Sequence, residues 1–301
     1  MKKLAGIIPY LVSPIDPDGT VRGDVLSRLC GDLIGCGVHG LCALGSVGEF
    51  PYLTFDQKKE IVRTTIEAAA GKVPVVAGVS GYSVRQICDE AYSFVSMGVD
   101  ALVVLLECYF PLSVTQMAEF FRSVARAVPH CPLVLYSNPK YMHYELPLDV
   151  FDHLRDVENI LYYKDATGNT GRLLSMVNRF GDRFRIFSAS AHIPLFVSML
   201  GGVGWMAGPA CLIPKQSVML YDLCEDRDYQ SAMELQFQIW EINRVFAKYD
   251  LTACVSFGLR HLGYEVGDPV APLSPLPMEA ERELVAIIDR LRAIPTSRRQ
   301  L

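Results

Sequence analysis

The chain has 301 residues, half of them apolar, with a formal net charge of −5 and a pI near 5.7. That length accommodates one α/β barrel of typically ~250 residues plus an extension. No Lys/Arg-rich run suggests a nucleic acid or an anionic membrane as partner, and no apolar stretch approaches the ~18 residues of a membrane span.

Met1–Gly6 leads directly into an apolar run, without the long apolar stretch and cleavage site of a signal peptide. Short apolar runs then alternate with amphipathic stretches. The predicted strands are Ile7–Val12, Gly40–Leu44, Val73–Val79, Ala101–Leu106, Leu133–Tyr136, Ile160–Lys164, Arg185–Ser188 and Gly204–Ala207. Three of the intervening helices open on a capping-box pattern, in which a Ser or Thr caps the helix and a Gln three residues on reaches back. These are Thr54 with Gln57, Ser83 with Gln86, and Ser113 with Gln116.

Eight strands alternating with helices at spacings of about thirty residues predict a parallel sheet closed as a (β/α)8 barrel. An open doubly wound sheet usually carries a glycine-rich turn after its first strand. Ser13-Pro14-Ile15-Asp16 fits that poorly. After Pro214 the strand signals stop. Ser217–Cys224, Tyr229–Lys248, Leu251–Leu262 and Met278–Arg292 read as helices, with a proline-rich connector from Asp268 to Pro277. Residues 1–224 are therefore read as the barrel carrying the site, and 225–301 as a helical extension.

Nine cysteines, an odd number at irregular spacing and without Cys-x-x-Cys, speak against a disulfide framework or zinc cluster. Reduced, buried thiols in a cytoplasmic protein are expected. The six histidines are scattered, so no metal and no cofactor are expected.

Lys164 is the residue that gives the chain a chemistry. It ends the sixth predicted strand, where an α/β barrel places its catalytic groups. An amine held there among apolar and aromatic neighbours is disfavoured as the cation. As the neutral amine it can attack a ketone and form a Schiff base. Protons must then leave the amine, reach the departing hydroxide and move on and off the substrate carbon. Tyrosine and serine hydroxyls at other strand ends can carry those protons. The candidates are Ser46 after strand two, Tyr109 after strand four and Tyr136 at the end of strand five. In Gly45-Ser46-Val47-Gly48, backbone N–H groups can line a concavity that holds a carboxylate. Each element alone has a bland reading, as a turn, a packed aromatic or a solvated lysine. Their joint placement at strand ends is the stronger evidence.

At these residues the chain resembles the pyruvate-dependent class I aldolases, the family of dihydrodipicolinate synthase and N-acetylneuraminate lyase. The family pattern Gly-[Ser/Thr]-Thr-Gly-Glu appears as Gly45–Glu49, with Val47 in place of the second Thr, which removes a hydroxyl but keeps the backbone donor. Tyr-Asn-x-Pro is read against Tyr136–Pro139, and Lys-[Glu/Asp]-x-[Thr/Ser]-Gly-Asn against Lys164–Asn169. The resemblance implies that Lys164 forms an imine with pyruvate or another 2-oxo acid, and that Tyr136 is the general acid/base above it. It implies that Ser46 links Tyr136 to a Tyr109 supplied by a neighbouring subunit, in a homotetramer built as a dimer of dimers. It places the pyruvate carboxylate on the N–H groups of Ser46 and Val47, with Met206 touching the pyruvate moiety through its backbone.

The departures bear on the second substrate. Synthases that use aspartate semialdehyde carry an arginine at the place of Tyr141, which Lys140 precedes. A lysine does not replace a bidentate arginine. The Asp-Glu pair with which sialic-acid lyases hold a polyol tail is Ala191 and His192 here. Phe50, Tyr82, Gln86 and Cys108 stand at the positions of a lysine feedback site, so no such regulation is expected. Tyr162 occupies an inward position that is usually small. Together these residues point to a cofactor-free Schiff-base lyase or aldolase with an unknown aldehyde, carbon–carbon chemistry being favoured over dehydration. Two other classes are weighed against it. A catalytically idle barrel kept as a binding protein would need no relay. A metal-dependent barrel would need converging carboxylates and histidines, of which only His192 is well placed.

Overall fold

Eight short apolar runs become eight parallel strands in the computed structural model, which describes residues 3–142, 145–189 and 193–296. They are β1 Gly6–Pro9, β2 Leu41–Ala43, β3 Val75–Gly81, β4 Ala101–Leu106, β5 Leu133–Ser137, β6 Ile160–Asp165, β7 Arg185–Ser188 and β8 Gly204–Ala207. From β4 to β8 the strands coincide with the runs seen in the sequence or extend them by a single residue at one end.

Each strand pairs with its sequence neighbour, and β1 pairs in parallel with β8. The seam between β1 and β2 is held by the parallel bridge Tyr10–Cys42, with the Leu11 N–H donating to the Cys42 carbonyl at 2.9 Å. Helices cover the outside. The strands are buried on both faces, which explains their near-continuous Val, Ile and Leu content. All three capping serines and threonines accept a hydrogen bond from the backbone N–H three residues on. The full reciprocal box forms at Thr54 and Ser113 only. At Ser83 the Gln86 amide donates instead to Glu90, at 3.2 Å, beside the buried Lys58–Glu90 ion pair. That charge-assisted bond turns the carboxamide toward Glu90, and its oxygen does not reach back to the Ser83 N–H.

The inward Tyr162 is accommodated at the amino end of the barrel. Its hydroxyl accepts the Leu4 N–H at 3.0 Å, and its ring lies 5.6 Å from that of Phe187. The next residue points outward, Tyr163 packing on Phe151 at 4.7 Å, and the next inward again, as Lys164. Strand alternation thus fixes which side chain enters the barrel.

Pro214–Glu225 follows β8 as the eighth outer helix, longer at both ends than the run seen in the sequence. Tyr229–Lys248, Leu251–His261 and Met278–Arg292 follow. The helix Leu251–His261 packs on the Ser46–Gly48 turn, where the Thr252 hydroxyl donates to the Ser46 carbonyl at 3.3 Å. No helix among the described residues is long and apolar enough to cross a membrane.

Candidate active site

The carboxyl ends of β2, β5 and β6 and the helix Tyr229–Lys248 enclose a cavity of about 330 Å³. Lys164, Tyr136, Ser46 and Val47 line it together, joined by Tyr10, Asn138, Tyr141 and Asn243. Lys164 is only 2 % exposed. Its ammonium nitrogen lies 3.7 Å from the ring centre of Tyr10 and 4.0 Å from that of Tyr136. Burial brings the amine pKa down to about 7, and the small upward pull comes from Cys42 rather than from a carboxylate. The two aromatic faces also favour the cation, but they cannot replace lost hydration.

The Tyr136 hydroxyl accepts a hydrogen bond from the Asn138 amide at 2.7 Å. Burial raises the Tyr136 pKa well above the usual phenol range, while Asn138 and Ser46 pull it down. A phenol so placed gives up its proton reluctantly, and the two hydrogen bonds make the phenolate more accessible when that proton is needed elsewhere. Ser46 bonds on its other side to Tyr141, whose pKa burial and the charge of Asp250 push up to about 12. Tyr136, Ser46 and Tyr141 therefore form a run of hydroxyls within one chain.

The loop that carries Ser46 is held in an uncommon conformation. Leu44 and Glu49, neither of them glycine, flank it at φ of 54° and 55°. Such residues cost free energy unless the surroundings impose them. Gly45 is required because a Cβ there would meet the Tyr10 ring at 2.4 Å. Ser13 donates to the Gly48 carbonyl at 2.6 Å, and the Glu49 carboxylate accepts the Val270 N–H at 2.7 Å. Burial raises the Glu49 pKa to about 7. Ser46–Gly48 form a single 3₁₀ turn. The N–H groups of Ser46 and Val47 begin that turn, where no carbonyl of the turn can pair with them.

Two expected residues are not brought to this cavity by their own chain. Tyr109 is 82 % exposed and packs edge-on against Phe110, which is 73 % exposed. Met206 is fully buried on β8, level with Ile8, and Gly208 lines the cavity instead. Ala191 and His192 lie outside the described residues. Among the described residues no group of three or more His, Cys, Asp or Glu could hold a metal ion.

The model of the dihydrodipicolinate synthetase family matches residues 3–291. The chain belongs to that family. Relatives from the dihydrodipicolinate synthetase family include an uncharacterized DapA-like lyase of Halobacterium salinarum, 29 % identical over 90 % of this chain and 88 % of its own. Another is the 4-hydroxy-tetrahydrodipicolinate synthase of Sorangium cellulosum, 28 % identical over 96 % and 97 %. Among solved structures, YagE is a prophage protein of E. coli K12 from the same family, determined in complex with pyruvate. It superposes with a TM-score of 0.89 at 25 % identity, over 96 % of this chain and 98 % of its own. The dihydrodipicolinate synthase of Aquifex aeolicus shares the fold, with a TM-score of 0.89 at 24 % identity over 95 % and 98 %.

Sequence reasoning does not single out Tyr10, Asn138 or Asn243, and it takes Tyr141 only as a missing arginine. Tyr10 is legible as a polar-tipped residue late in the first apolar run. Asn138 stands inside the Tyr-Asn-x-Pro match. Asn243 has no local signal, because only the docking of its helix brings it to the cavity.

Proposed function

We propose that this chain is a Schiff-base-forming lyase or aldolase that acts on pyruvate or a related 2-oxo acid. The observation that carries the reading is a buried Lys164 amine, its pKa brought down to about 7, on the cavity wall beside the Tyr136 phenol. In this reading the amine adds to the C2 carbonyl, giving a carbinolamine. Tyr136 supplies the proton with which the hydroxyl departs as water, leaving the imine. Loss of a proton from C3 gives an enamine, which attacks an aldehyde carbon, and hydrolysis frees the product and Lys164. The reverse sequence cleaves the same bond. Ser46 passes protons between Tyr136 and Tyr141, and the N–H groups of Ser46 and Val47 hold the carboxylate.

Assembly is part of this reading. Tyr109 and Phe110 form an exposed aromatic pair beside the barrel mouth loops, which suits insertion into a second copy in a dimer of dimers. Tyr141 would then share the relay with the neighbouring copy's Tyr109. The pyruvate complex of YagE supports the 2-oxo acid.

Purified protein incubated with pyruvate and a panel of aldehydes is expected to give a mass corresponding to their condensation product. No product from any aldehyde, and no imine, would leave the idle-barrel reading standing. Aspartate semialdehyde is expected to be a poor member of that panel. Lys140 is 63 % exposed at its side chain and lies 3.9 Å from Asp250. Arg172, the other cation considered, is bound to Asp165, Tyr163 and the Leu146 carbonyl and does not line the cavity. A missing bidentate arginine forfeits about 1.5–3 kcal/mol, roughly one to two orders of magnitude. A kcat/KM for aspartate semialdehyde of about 10⁴ M⁻¹s⁻¹ or more would contradict this.

The protonation of Lys164 sets a pH dependence. Only the neutral amine attacks, and its pKa lies near 7. The rate of imine formation with pyruvate should therefore rise with pH and level off about one unit above 7. A rate still climbing tenfold per unit between pH 9 and 10 would indicate an ordinary lysine.

A further inference from the structure

We propose that Asn243 is the residue that recognises the aldehyde, and that it takes a neutral hydroxyl rather than a carboxylate. The inference rests on the Schiff-base reading above and extends it to the second substrate.

Asn243 is 3 % exposed, and neither its amide nitrogen nor its amide oxygen has a hydrogen-bond partner among the described residues. It lines the same cavity as Lys164, Ser46 and Tyr141. Phe246 and Ala247, three and four residues on, line it too, so one face of the helix Tyr229–Lys248 forms a wall of the cavity. That wall is apolar except for this one carboxamide. Burying a carboxamide with both ends unpaired is costly, and leucine would fill such a position more favourably. The arrangement makes physical sense when a ligand supplies the missing partner.

The chemistry of that ligand follows from what surrounds it. A carboxamide offers one acceptor and a two-proton donor side by side, and a hydroxyl answers both at once, donating to the oxygen and accepting from the nitrogen. A carboxylate answers only the nitrogen and turns lone pairs toward the amide oxygen. It would also meet the charge of Asp250, which is felt at Tyr141 on the same cavity. No arginine lines the cavity, and its exposed lysine, Lys140, lies 3.9 Å from Asp250 and so already faces that carboxylate. A cavity of about 330 Å³ lies at the small end of ligand sites, so the aldehyde is short. The geometry points to a short hydroxylated aldehyde, with Asn243 as a specificity residue and Lys164 as the nucleophile.

The test compares matched pairs, glycolaldehyde with acetaldehyde and glyceraldehyde with propanal, each at saturating pyruvate. A hydroxyl also activates a neighbouring carbonyl, so the decisive quantity is the change in the hydroxy-to-deoxy ratio of kcat/KM between proteins. In Asn243→Leu this ratio is expected to fall at least roughly tenfold from its wild-type value. Asn243→Ala should lower it in the same direction and guards against a folding effect peculiar to leucine. A ratio unchanged in both variants overturns the assignment, as does a wild type that forms the pyruvate imine yet converts no hydroxylated aldehyde. Borohydride trapping of the wild type with pyruvate keeps the two levels apart. Failure to trap removes the Schiff-base reading and the assignment with it, whereas trapping with an unmoved ratio removes the assignment alone.

Discussion

Lys164→Met is expected to abolish turnover of any pyruvate-derived substrate, lowering kcat by roughly 10⁴-fold or more, while making the protein more stable. The first effect follows because methionine has no nitrogen to form the imine, and the cavity's other lysine, Lys140, is exposed and faces Asp250. The second follows from linkage. The folded-state pKa of Lys164, about 7, lies below the ordinary 10.5. Between those values the unfolded chain binds more protons than the folded one, so the lysine's penalty is greatest below pH 7 and fades as pH rises toward 10.5. At pH 7 and below, removing it should raise stability by up to about 5 kcal/mol, with the gain shrinking at alkaline pH. Denaturant titrations of both proteins at pH 6 and pH 10 would check this. A variant destabilised at pH 6 would show that the amine is better solvated, or better paired, than its surroundings indicate.

Tyr136→Phe should lower kcat by roughly 10²–10⁴-fold, the scale of general acid–base catalysis. Only the hydroxyl is lost, and the ring can keep its edge-to-face contact with Tyr10 at 6.5 Å. The Asn138 amide loses its acceptor, so a modest drop in thermal midpoint accompanies the change. Steady-state rates and thermal unfolding separate the two effects. Activity within a factor of about two of wild type would remove Tyr136 from the proton transfers.

The barrel is legible in the sequence because its strands announce themselves. Buried runs such as Ala101–Leu106 are apolar throughout and bounded by turns, and parallel pairing needs just that. The first apolar run, Ile7–Val12, overshoots the ladder with β8, which spans Gly6–Pro9. Tyr10, Leu11 and Val12 are also buried, so periodicity cannot find the point at which pairing stops. The second run likewise exceeds its strand by one residue at each end, because Gly40 and Leu44 are as buried as the ladder residues between them.

Within the site, the residues visible in the sequence are those whose neighbours form a pattern. Ser46 sits in its glycine turn, Tyr136 before Asn138 and Pro139, and Lys164 before a helix start. Tyr141 is undervalued when judged as a failed arginine, since its hydroxyl meets Ser46. Asn243 cannot be found from sequence at all. It lies in an amphipathic helix about a hundred residues after β5, and nothing in its flanking sequence distinguishes a cavity-facing amide from a solvated one.

The central claim is that Lys164 forms a covalent imine. Borohydride reduction in the presence of pyruvate, followed by peptide mapping, tests it most directly. One reduced three-carbon adduct per chain is expected, on the peptide containing Lys164, and none in Lys164→Met. No adduct with pyruvate or any other 2-oxo acid, or an adduct carried by a different lysine, would contradict it.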